Sequence, residues 1–107
     1  MHGGPIRWKV TEVSDLRGDR TLMVYGELDI ATAPELVDLL NRLRHHGHAV
    51  TVDLAEVTFM DSTGLTTLMD AKMQADRNGW SFRVSRPSPA VRRVFDLAGV
   101  RSLLDEG

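Results

Sequence analysis

Three segments of this chain repeat apolar residues at helical spacing, and each follows a short apolar run of strand character. Leu36, Leu39, Leu40 and Leu43 recur at i, i+3, i+4 and i+7. Val91, Val94, Phe95 and Ala98 do the same, and Leu65, Leu68, Met69 and Met73 form a third stripe. A helix with one apolar stripe must bury that side against another layer. The runs Thr21–Tyr25, Ala49–Leu54 and Trp80–Ser85 supply the layer. Strands that alternate with helices need right-handed crossovers, which build a largely parallel sheet.

Punctuation along the chain agrees. Residues 1–5 read as a flexible tail and 6–107 as one domain. A first strand is expected near residues 6–13, with a turn over Asp15–Asp19 that makes it antiparallel to the next strand. Thr32 and Glu35 have capping-box spacing, and Pro34 sits where its missing N–H does no harm. Gly47 stops that helix, and Asn78-Gly79 stops a second that begins near Thr63 and runs to Arg77. Ser88-Pro89 opens the third and Gly99 ends it, with Val100, Leu103 and Leu104 packing a last turn. Trp8, Trp80, Phe82 and Phe95 read as core or partly buried packing. The expected class is α/β: a β-β-α-β-α-β-α domain with a mixed sheet of four to five strands and amphipathic helices mainly on one face.

Composition removes several functions. The formal net charge of −2 leaves no basic footprint for a nucleic acid. With no cysteine there is no disulfide or thiol chemistry. No apolar run approaches the roughly 20 residues of a membrane span, and Met1–Pro5 lacks the apolar segment of a signal peptide. The default compartment is the cytoplasm. His45, His46 and His48 lack the i, i+4 pairing of a helical metal site and read as a solvated helix end. No cofactor or metal is expected. Arg86, Arg92, Arg93 and Arg101 read as a solvated face.

The run Val52–Leu65 carries the most chemistry. It passes from an apolar strand through Asp61-Ser62-Thr63-Gly64 into the second helix. A hydroxyl there stands beside the free amides of a helix N-terminus, a setting that favours an anion. Ser62 is a phosphate acceptor, a nucleophile, or, with Asp61, only a cap. Catalysis needs a base within reach, yet His45, His46 and His48 are expected at the opposite edge of the sheet, and Gly-x-Ser-x-Gly is absent. Gly64 costs helix stability, roughly 0.5–1 kcal/mol against alanine, which implies that something approaches closely there. A phosphate on Ser62 would add negative charge beside Asp61, and beside Glu27 and Asp29 if these share the edge.

Gly26-Glu27-Leu28-Asp29 with Thr32-Ala33, then Val52-Asp53-Leu54, then Phe59–Leu65, resemble the STAS domain, above all the free-standing bacterial anti-sigma factor antagonists. The resemblance spans about Ile6 to Leu104. It implies a binding protein and not an enzyme, with no catalytic residue. Unphosphorylated, such a protein binds an anti-sigma factor that is also a serine/threonine kinase, and so frees a sigma factor. The kinase phosphorylates the serine after the aspartate, here Ser62, with Thr63 the second choice, and a phosphatase resets the system. The implied partner surface comprises Glu27, Asp29, Thr32, Asp61, Ser62, Thr63 and Gly64. The alternative is a STAS adaptor subunit of a lipid-transport or stressosome-like assembly.

Overall fold

The computed structural model describes residues 7–44 and 47–103, so the expected tail, His45, His46 and Leu104 lie outside it. The elements are β1 (Trp8–Ser14), β2 (Arg20–Leu28), α1 (Ala33–Arg44), β3 (Val50–Met60), α2 (Ser62–Asn78), β4 (Phe82–Ser85) and α3 (Pro89–Ala98), then a 3-10 turn over Arg101–Leu103. Their order is the one the sequence predicts.

The four strands lie in the order β1-β2-β3-β4. β1 and β2 are antiparallel, with Trp8 opposite Gly26 and Ser14 opposite Arg20. Asp15 closes their turn: its carbonyl accepts from Gly18 N at 3.0 Å, and its carboxylate accepts from Arg17 N and Asp19 N at 2.8 and 3.0 Å. β2–β3 and β3–β4 are parallel. Both crossovers step in the same direction, so right-handedness puts α1 and α2 on one face, where they touch.

Along β2 the burial alternates. Leu22, Val24 and Leu28 are fully buried, whereas Thr21, Met23, Tyr25 and Glu27 are half-buried. One sheet face therefore carries the core and the other stays partly open. Leu36, Leu40 and Leu43 from α1, Leu65 and Leu68 from α2, and Val91 and Phe95 from α3 join a single cluster with the strands.

The helix stripes are right in kind and differ in detail. Met73, expected on the inner face of α2, is 54% exposed, while Ala71 and Ala75 are buried. Over 17 residues a 3.6-residue period favours 64, 68, 71 and 75, and small alanines there let the helix lie close to its neighbours. Ala98 is likewise exposed, so Val91 and Phe95 carry the burial of α3.

The capping box at α1 does not form. The Thr32 hydroxyl turns back, donating to Glu27 O at 2.7 Å and accepting from Asp29 N at 3.0 Å. Glu35 instead accepts from Trp8 Nε1 at 2.7 Å, which ties β1 to the helix start. α3 begins as expected: Ser88 Oγ accepts from Val91 N at 3.2 Å, and Gly99 ends the helix in the left-handed region.

Phe95 is the largest side chain that α3 buries. Phe95→Ala is expected to cost about 3–5 kcal/mol, a large share of a small domain's stability. Urea unfolding followed by tryptophan fluorescence measures it.

Candidate functional site

β3 ends at Met60, and the backbone then leaves the strand. Asp61 N donates to Leu28 O at 3.3 Å, so the ends of β2 and β3 are joined where the chain turns into α2. Asp61 adopts φ −103 and ψ −175 and is the N-cap. One of its carboxylate oxygens accepts from Gly64 N at 2.9 Å; the other accepts from Ile30 N at 3.1 Å. One side chain thus caps α2 and clamps the loop between β2 and α1. Of the two capping candidates, Asp61 does the capping.

That leaves Ser62 free. It is the first residue of α2, it is exposed, and its hydroxyl makes no hydrogen bond to a described residue. The amides of Ser62 and Thr63 likewise have no acceptor among the described residues, whereas Gly64 N and Leu65 N are taken by Asp61. A hydroxyl in water beside two open helix amides is a setting in which added negative charge is tolerated.

The loop facing it is organised by Asp29. Its carboxylate accepts from Ala31 N at 2.9 Å and Thr32 N at 3.1 Å. Glu27 is half-buried and lies 3.6 Å from the exposed Arg7 guanidinium. The clamp therefore brings the Glu27–Thr32 and Asp61–Gly64 segments together at one end of the sheet. Thr63 is half-buried, and its carbonyl accepts from the Thr67 hydroxyl at 2.9 Å.

Gly64 is buried. A Cβ there would stand 2.5 Å from Leu28 O and 2.9 Å from Leu28 Cγ. The close approach that the sequence implies comes from the chain's own second strand. Thr32 is half-buried and held by Glu27 O, so it also braces the loop.

The sequence reading missed Ile30. It is 73% exposed at the tip of the clamped loop, with its amide on Asp61. An isolated apolar residue in a turn carries no periodic signal, and only the cross-loop bond reveals its place. Of the histidines, His48 is described. It lies before β3 near Asp19, while Ser62 lies beyond the other end of that strand. Eleven residues of strand put about 35 Å between the two ends, so His48 is no base for Ser62. Among the described residues, no helix is long and apolar enough to cross a membrane.

Asp61→Ala removes a cap and a hydrogen bond from a charged acceptor, with an expected loss of about 2–3 kcal/mol. Amide exchange at Ile30 should rise in that variant. Ser62→Ala, on a free surface hydroxyl, should stay within about 0.5 kcal/mol of the wild type in the same urea titration.

The comparisons with known proteins fit this geometry. The family model described as "Mlab, STAS domain" matches residues 12–105. The anti-sigma-B factor antagonist of Staphylococcus epidermidis is 38% identical over 82 residues, covering 76% of each chain. A solved anti-sigma factor antagonist from Mycobacterium paratuberculosis superposes with a TM-score of 0.74 at 28% identity, over 90% of this chain and 83% of that one. The antagonist SpoIIAA shares the fold in its unphosphorylated form (TM-score 0.76, 19% identity, 92% and 88% covered) and in its phosphorylated form (0.71, 18%, 92% and 91%). A four-stranded mixed sheet, a capped helix after β3 and these relatives lead to one assignment: the chain belongs to the STAS-domain family of anti-sigma factor antagonists.

Proposed function

We propose that this protein is a phosphorylation-controlled anti-sigma factor antagonist. Unphosphorylated, it binds an anti-sigma factor serine/threonine kinase and frees a sigma factor; phosphorylation of Ser62 ends the complex, and a serine phosphatase restores it. The observation that carries this reading is the exposed Ser62 hydroxyl at the start of α2, which has no hydrogen bond to a described residue.

The physics supports a switch of binding without a switch of fold. A phosphate adds about −1.5 to −2 charges at neutral pH. The N-terminus of α2 favours that charge by up to about 1 kcal/mol, and the cap does not depend on the Ser62 hydroxyl. A partner seated over Glu27, Asp29 and Asp61 meets the added charge as repulsion. SpoIIAA was solved in both forms, each with the fold of this chain.

In this reading Ser62, Thr63, Glu27, Asp29 and Ile30 meet the partner, while Asp61, Thr32 and Gly64 hold the surface in shape. Ile30 supplies the apolar anchor. Thr63, half-buried, is the second acceptor. The protein is a substrate and a binding partner and performs no chemistry itself, needs no cofactor, and works in the cytoplasm. The adaptor reading gives the exposed hydroxyl no role, whereas the kinase reading gives it one.

Incubation with candidate anti-sigma kinases and ATP, followed by mass spectrometry, should place phosphate on Ser62. Ser62→Ala should bind and not be released. Ser62→Asp should weaken binding by at least about tenfold, or 1.4 kcal/mol. Ile30→Asp should weaken it comparably with an unchanged unfolding midpoint. Equal kinase affinity for wild type and Ser62→Asp, measured by calorimetry, would sink the switch.

A further inference from the structure

A recessed surface arises from a mismatch in strand length. β4 pairs with β3 only through Val50–Asp53, although β3 continues to Met60. Beyond Asp53 that side of β3 has no strand neighbour among the described residues. α3 lies alongside instead, tied where Ser88 N donates to Leu54 O at 3.1 Å. A groove of about 490 Å³ runs between the end of β3 and the first two turns of α3.

Its walls are apolar. Phe59 and Met60 form the strand side; Pro89, Ala90 and Val94 form the helix side. Phe59 remains 49% exposed, so it is a wall with no cover. The volume falls within the roughly 300–1,000 Å³ range of small-molecule sites, which are mostly apolar with a few polar groups that set orientation. Among the described residues two polar ones line it, Thr58 and Arg93. Arg93 is exposed, and its guanidinium has no ion pair or hydrogen bond with a described residue. Among the described residues, no carboxylate lines the groove. A lone guanidinium beside an apolar trough selects a ligand with one negative end and one greasy end. Its planar fork matches a carboxylate with two parallel hydrogen bonds.

The geometry points to a binding site for a small amphipathic monocarboxylate, whose apolar chain lies between Phe59 and Val94 and whose carboxylate pairs with Arg93. A cation is repelled there. A neutral apolar molecule gains burial and no ion pair. A polyanion meets one guanidinium among the described lining residues.

Hexanoate is the probe, with hexanol and hexylamine as neutral and cationic counterparts. The full-length protein is titrated and backbone amide resonances are followed by NMR. Saturable shifts are expected at Thr58–Met60 and Ala90–Val94, with millimolar affinity, as suits so small a ligand. Hexanol should bind about tenfold more weakly, and hexylamine should not saturate. Arg93→Gln should reduce hexanoate to the level of hexanol, while Arg93→Lys keeps part of the difference. Arg93 is exposed, so unchanged resonances elsewhere verify that the variants fold. The proposal is overturned if hexanoate gives no saturable shift, if hexanol matches it, or if Arg93→Gln binds as the wild type does. No kinase enters this assay, so its outcome is independent of the Ser62 switch.

Discussion

One carboxylate organises the functional end of this molecule. Asp61 uses its two oxygens on two different segments: Gly64 N at the start of α2, and Ile30 N in the loop after β2. A cap alone stabilises a helix by about 1 kcal/mol. Here the same side chain also fixes a loop that has no strand or helix pairing of its own. The backbone adds a third tie, Asp61 N to Leu28 O, and Gly64 lets Leu28 sit against the helix without a Cβ between them. Apart from the local cap, these contacts depend on one another, because each needs the β2 and β3 ends side by side, as their parallel pairing provides.

This division of labour accounts for a serine that can gain charge. When the cap is the aspartate, the neighbouring hydroxyl owes nothing to the fold. Modifying it removes no hydrogen bond among the described residues and places charge at a helix end suited to it. The neighbouring acidic residues are not idle either. Asp29 and Asp61 are committed to holding loops, yet their charges remain at the same end of the sheet as Ser62. In the proposed switch, structural carboxylates double as the electrostatic background for the added phosphate.

Much of the architecture was legible in the order of the residues. Apolar spacing in Leu36–Leu43 and Val91–Phe95 located two helices because burial of one stripe is periodic and local. Ser88 with Pro89, and the Asp15–Asp19 turn, were readable because their hydrogen bonds run to near neighbours. Elsewhere local rules were overridden. Thr32 and Glu35 had the spacing of a capping box, but Trp8 and Glu27 O, distant in sequence or outside the helix, took their side chains. Met73 fitted a stripe that the helix, over its full length, rotated away from the core.

The order of residues alone specifies the α/β class, the element order and the Asp-Ser-Thr-Gly turn at a helix start, since these follow from periodicity and short-range capping. The folded chain adds which side chain caps, which hydroxyl stays in water, that Gly64 answers to Leu28, and that Ile30 lies beside Asp61. The reason is range. A cap candidate is visible within four residues, whereas the loop amide that takes the second Asp61 oxygen lies 31 positions away and arrives only when the strands pair.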